Sequence, residues 1–163
     1  TGILATAGKR GALSGEHAES LYVSMSTLNA VASRAAVALG SRCATDVTGF
    51  GLLGHAMHIA RASDVRIVFD VQAVPFLPGA REALAAGHVP GGARRNADWV
   101  ADAVDWNDTG DDLRSLLTDP QTSGGLLVAL DASRVEEYRA RVPSAVVVGV
   151  VERAIGGVRI ALG

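Results

Sequence analysis

The stretch Thr45-Asp46-Val47-Thr48-Gly49-Phe50-Gly51-Leu52-Leu53-Gly54-His55 constrains the fold more than any other part of the chain. Residues 43–47 read as a short strand, and the apolar spacing from 52 to about 62 reads as a helix. Two glycines in three residues make the turn between them. Glycines let a backbone approach a ligand closely, and the free N–H groups at a helix start favour anions. A carboxylate such as Asp46 beside such a turn is suited to holding Mg²⁺ against a phosphate, because Mg²⁺ takes hard oxygen ligands. The same residues also describe a plain strand-turn-helix junction with Asp46 as a cap. Spacing alone leaves both readings open.

Strand and helix signals alternate around this junction. Residues 1–7 read as a short strand, and Gly8-Lys9-Arg10-Gly11 as a polar turn. From 16 to 39 the positions Ala18, Leu21, Tyr22, Met25, Leu28, Ala32, Ala35, Ala36 and Leu39 predict one long amphipathic helix stopped by Gly40. Residues 65–71 read as a buried strand, and 79–86 as a short helix ended by Gly87. A helix over 95–106 should turn Trp99 and Val100 inward. After a polar break at 107–112 come a helix at 113–117, a loop at 119–125 and a strand at 126–130. Asp131 is placed to cap a helix over 132–142. Residues 145–153 and 158–162 read as strands joined in a hairpin through Gly156-Gly157. The expected fold is α+β, a mixed β-sheet covered by helices, in a single domain over 1–163.

Composition narrows the function classes. Hydrophobic residues make up 48% of the 163 and charged residues 20%, which excludes a disordered chain. Fourteen of the fifteen basic residues are arginines, scattered except for Arg94-Arg95, and aromatics are only 4%. Nucleic-acid binders carry a basic stripe, often with aromatics for stacking, so no nucleic-acid partner is expected. One cysteine excludes an internal disulfide and a multi-cysteine zinc site. The longest apolar run, 145–151, falls far short of a membrane span, and no signal peptide is visible. The expectation is a soluble cytoplasmic chain with no membrane partner. The absence of an initiator Met before Thr1 suggests a cut inside a larger protein.

Three stretches together match a family. TDVTGFGLLGH at 45–55, PGGARRNADWV at 90–100 and LLTDPQTSGGLLVAL at 116–130 resemble the selenophosphate synthetases (selenide, water dikinases). The opening TGILATAGKRG and the closing Val-rich strand with its Gly-Gly turn are similar to the same family. The wider aminoimidazole ribonucleotide synthetase superfamily, with hydrogenase-maturation proteins and thiamine monophosphate kinases, shares an Asp before a Gly-rich turn. Phe50 and DPQTSGG point to the selenium enzymes within it.

The resemblance implies the C-terminal half of a two-domain enzyme whose fold is like the aminoimidazole ribonucleotide synthetase C-terminal domain. The N-terminal ATP-binding domain, which holds the family's catalytic Cys or selenocysteine, its Lys and most of its Mg²⁺ aspartates, lies outside these residues. The implied reaction converts ATP, selenide and water into selenophosphate, AMP and phosphate, in a homodimer when intact. Asp46 matches the family's C-terminal Mg²⁺ ligand, and Thr48 and Gly49 are the expected nucleotide-side residues. No catalytic residue is expected within 1–163, so the chain alone should be inactive, with an apolar face exposed where the other half docks. Two alternatives remain: a domain of another ATP-using superfamily member, or a non-catalytic domain that packs or binds a partner.

Other reactive side chains read as structural. Cys43 lies in a small-residue strand near Asp46, whose charge would disfavour a thiolate, so a packed, unreactive role is expected. His55 and His58, three apart on a helix, share a face, yet no third ligand accompanies them. His55 matches the family motif, where a structural hydrogen bond near the turn is expected. His17 and His88 read as surface or cap residues. Arg94, Arg95 and Asn96 suit a phosphate grip or, equally, a solvated helix start. The loop 119–125 reads as a rigid turn satisfying its own backbone. Asp108, Asp111 and Asp112 read as a solvated acidic loop.

Overall fold

The computed structural model describes residues 1–154 and 156–163. Strand β2 (Val65–Phe69) is the axis of a four-stranded mixed sheet of order β3-β6-β2-β5. It pairs antiparallel with β5 (Gly149–Arg153) and parallel with β6 (Ile160–Leu162), and β6 pairs parallel with the two-residue β3 (Val104–Asp105). A separate two-stranded sheet joins β1 (Cys43–Asp46) antiparallel to β4 (Leu126–Ala129), with Cys43 opposite Ala129 and Asp46 opposite Leu126. This is the α+β architecture with a mixed sheet that the residue pattern indicates.

Helix α4 (Gly51–Ser63) lies against β2 and β6. Its stripe Leu53, Ala56, Met57 and Ala60 is wholly buried and meets Phe69, Val100, Leu117 and Ile160 to form the main core. Burying one such large apolar side chain contributes about 1.5–3 kcal/mol. The helix ends at Asp64 in the left-handed conformation (φ 50°), where Arg159 donates to the Asp64 carboxylate at 2.8 Å. A second cluster, built on Ile3, Leu4, Leu21, Leu84 and Leu116, ties together α1 (Gly2–Lys9), α2 (Gly15–Ser26), α5 (Ala80–Ala85) and α7 (Asp111–Leu117). In a third, Ala35 and Ala36 of α3 (Ala30–Ala38) meet Tyr138 of α8 (Val135–Arg141). Helix α6 (Gly91–Val100) packs against α4 and α7.

Several local expectations are corrected. Residues 1–7 belong to a helix, not a strand, because Ile3, Leu4 and Ala7 fall on one buried face at helical spacing. The predicted helix over 16–39 is two helices. Thr27 turns extended (ψ 122°), its hydroxyl returns to Val23 O at 2.7 Å, and the Asn29 side chain donates to Gly124 O at 2.9 Å. Much of its apolar stripe is left in solvent, with Leu28 81% exposed. Helix α6 stops at Val100, and a 3₁₀ turn (Ala101–Ala103) leads into β3, too short to show alternation. Trp99 is 40% exposed rather than inward, while Val100 is buried.

The strand expected over 145–153 starts only at Gly149. The expected hairpin does not form, because β5 and β6 lie on opposite sides of β2 instead of pairing. Ile155, which the hairpin reading spans, lies outside the described residues. A Gly-Gly signal marks where a chain turns, not which strands then bond. Asp131 does cap, but it caps the 3₁₀ turn Ala132–Arg134 that leads into α8. Among the described residues no helix is long and apolar enough to cross a membrane.

Candidate functional site

Strand β1 carries Asp46 to its C-terminal end and leaves it exposed. The residue lines an open depression of about 580 Å³ between α3 and β1, along with Asn29, Ser33, Ser41, Arg42 and Cys43. Among the described residues nothing hydrogen-bonds the Asp46 carboxylate, and the N-cap of α4 is Phe50, without a side-chain cap. Asp46 is therefore not a helix cap. Its carboxylate is free, beside a helix start whose first amides no side chain satisfies. Half-buried Cys43 sits in the same strand, opposite Ala129.

The turn after Asp46 is held from three directions. Val47 N–H donates to Gly125 O at 2.9 Å, and Thr48 O accepts from Gly51 N at 2.9 Å and Gln121 N at 3.0 Å. Asn96 of α6 donates from Nδ2 to both Gly49 O and Thr118 O, each at 2.9 Å. The fit leaves no room for side chains at two glycines. Gly51 has φ +68°, and a Cβ there would stand 2.7 Å from the Thr118 carbonyl carbon; a Cβ on Gly124 would run into Val47 O. Gly49, by contrast, is exposed and faces open space. The three motif stretches, far apart in sequence, thus form one packed unit.

His55 turns back from the first turns of α4, and its Nε2 lies 3.1 Å from Thr48 Oγ1. Burial holds its pKa below the usual histidine value, with Asp46 pulling upward and His58 pushing downward. His58 is exposed and stacks with Trp99 (5.0 Å between ring centroids) and Phe50 (5.4 Å), with Arg61 over the Trp99 ring. Both histidines pack against the Phe50 ring, but His55 reaches back to Thr48 while His58 lies against Trp99. Among the described residues no three His, Cys, Asp or Glu side chains converge as a metal cage. The donor set at the turn is one free carboxylate. It matches the oxygen preference of a hard cation but supplies a single ligand.

The 119–125 loop does more than satisfy its own backbone, which corrects the sequence reading. Buried Asp119 accepts through Oδ2 from Gly2 N (2.9 Å), Ile3 N (3.2 Å) and Gln121 Nε2 (3.0 Å), so it caps α1 from across the chain. Burial pushes the Asp119 carboxyl up, against the pull of the Ile3 and Gly2 backbone N–H groups; among the described residues its Oδ1 has no partner. No local signal announced this cap, because the Gly2 and Ile3 donors lie more than a hundred residues from Asp119 in sequence.

The remaining candidates disperse. Arg94 and Arg95 are exposed while Asn96 is buried, so of that trio only Asn96 reaches the turn. His17 packs beneath Gly79, and His88 lies 3.5 Å from Arg10. Asp108, Asp111 and Asp112 are exposed, the last two in the first turn of α7.

The chain is similar to known proteins over most of its length. Residues 4–160 match the family described as "AIR synthase related protein, C-terminal domain". Curated relatives named "Selenide, water dikinase" are 44% identical in Aeromonas hydrophila, 42% in Porphyromonas gingivalis and 41% in Cronobacter sakazakii. Each alignment spans 139 residues, 85% of this chain and 40% of the relative. The chain therefore spans about two-fifths of the length of those relatives. With its α+β fold and its match over 4–160, the chain belongs to the AIR synthase related protein family, as the C-terminal domain.

Proposed function

We propose that this chain is the C-terminal domain of a cytoplasmic selenide, water dikinase, and that Asp46 is its contribution to the Mg²⁺-ATP site. One observation carries the reading: a free, exposed carboxylate beside an uncapped helix start, in a chain 44% identical to a protein of that name. The reaction consumes ATP, selenide and water and yields selenophosphate, AMP and phosphate. Mg²⁺, when bound, neutralises the phosphate charge that builds up during transfer.

Asp46 offers an anionic oxygen to that ion from the C-terminal side of the site. The first-turn amides of α4 point donors at phosphate oxygens. The Thr48 hydroxyl, paired with His55, and the Gly49 backbone line the nucleotide side. The nucleophile, a lysine and the other acidic ligands come from the rest of the enzyme, an N-terminal domain in a homodimer. Residues 1–163 alone are then inactive. The apolar side chains left in solvent, such as Leu28 and Val37, fit a chain that is covered when whole.

The test is selenide-dependent AMP release by the two-domain enzyme and by its Asp46→Asn variant. The reading expects the variant to lose turnover by about a hundredfold or more, the scale of removing one charge-stabilising group, while remaining folded. Turnover close to wild type would remove Asp46 from the site. AMP release by residues 1–163 alone would contradict the division of labour.

A further inference from the structure

We propose that Asn96 is a positioning residue for the phosphate side of the site: it fixes the glycine turn, and with it Asp46, Thr48 and the start of α4. The inference rests on the functional reading above. Among the described residues, Asn96 is the one side chain that hydrogen-bonds the main chain of residues 47–51. The residue is 8% exposed, and its Nδ2 donates to Gly49 O and Thr118 O, both at 2.9 Å. Gly49 O belongs to the turn, and Thr118 O to the loop against which the turn packs. Asn96 is therefore a bridge between two backbones, not a local helix contact.

The chemistry requires an amide at this position. Only a group with two N–H bonds on one atom satisfies two converging carbonyls at once. The isosteric Asp would turn an acceptor oxygen toward two carbonyl oxygens, which repels both. Ala would leave the buried Thr118 carbonyl without this donor and would release the Gly49 carbonyl from its tether. The other hydrogen bonds on the turn are backbone bonds from Gln121 and Gly51 and to Gly125, and the Thr48 hydroxyl to His55; these hold Thr48 and Val47 rather than Gly49. Without Asn96, Gly49 is free to swing on the exposed side of the turn, where it faces open space. Displacing the groups that orient a triphosphate by about 1 Å is enough to cost catalysis about a hundredfold.

The experiment uses the two-domain enzyme, with Asn96→Ala, Asn96→Asp, Asp46→Asn and a control, Ala93→Gly. The control weakens α6 at a buried position without touching the turn. Amide hydrogen exchange and the KM for Mg²⁺-ATP are read alongside kcat. The expected result for both Asn96 variants is exchange about tenfold or more faster at Gly51, whose N–H bonds Thr48 O across the turn, with β2 amides unchanged. KM for Mg²⁺-ATP should rise by about tenfold or more, with Asp the more damaging replacement. Ala93→Gly should leave the KM unmoved. Unchanged turn exchange, or a KM that shifts as much in Ala93→Gly, would overturn the positioning role. If Asp46→Asn keeps wild-type turnover, the functional reading itself fails and takes the positioning role with it.

Discussion

Helix α4 and the α2–α3 pair carry the same signal in sequence, apolar residues every three or four positions, and meet opposite fates. In α4 the stripe Leu53, Met57 and Ala60 is fully buried. In α2–α3, Tyr22 is 64% exposed and Leu28 81%, with only Leu21, Ala35 and Ala36 buried. The difference lies at the ends. The start of α4 is fixed by the glycine turn, wedged against residues 118–125, and its side faces β2 and β6. Between α2 and α3 the chain breaks at Thr27, and Asn29 is drawn off to Gly124. Periodicity announces a face, while a tethered end decides what that face meets.

The sharpest way to break the contrast is at the turn itself. Gly124→Ala would drive a methyl into Val47 O, and backbone cannot give way as a flexible side chain can. It should cost about 3 kcal/mol or more in chemical denaturation, beyond usual overpacking. Gly40, in a positive-φ conformation (φ +76°) with nothing near its Cβ, should tolerate alanine at about 1 kcal/mol. Next comes the core face of α4: Met57→Ala should cost about 2–3 kcal/mol through its cavity. Leu28→Ser, on the exposed break, should stay within about 0.5 kcal/mol. A large loss there would mean that the α2–α3 face packs against something in the folded chain.

The smallest effect concerns pH. The folded pKa of His55 lies below its ordinary 6.5, chiefly through burial, so the neutral form is favoured by folding. Stability tied to His55 is then fully present above pH 6.5 and is lost as pH falls through that value toward the lower folded pKa. Urea midpoints between pH 7.5 and pH 5 should fall less steeply in His55→Gln than in wild type. Equal slopes would detach His55 from the acid sensitivity.

Much of this was legible from residues alone. The strand-turn-helix around Asp46, the buried β2 and the short α5 follow from local spacing and from glycines at the element ends. The mixed sheet followed from alternation, and the family resemblance gathered the three motif stretches that the fold brings together. What stayed hidden was long-range. The Asp119 cap on α1 and the Asn96 bridge join residues distant in sequence, and no period or turn signal encodes them. The order of β5, β2 and β6 was missed for a related reason. The Gly156-Gly157 turn was read as a hairpin, although the better partner for both strands is β2, with β-branched residues along its length.

The central claim is that the turn after β1 presents Asp46 as one half of a Mg²⁺-ATP site. The most direct measurement is selenide-dependent AMP formation by the two-domain enzyme, comparing wild type with Asp46→Asn at saturating ATP and matched thermal stability. The account predicts a loss of about a hundredfold or more with the fold intact. An Asp46→Asn enzyme that releases AMP at the wild-type rate would contradict it.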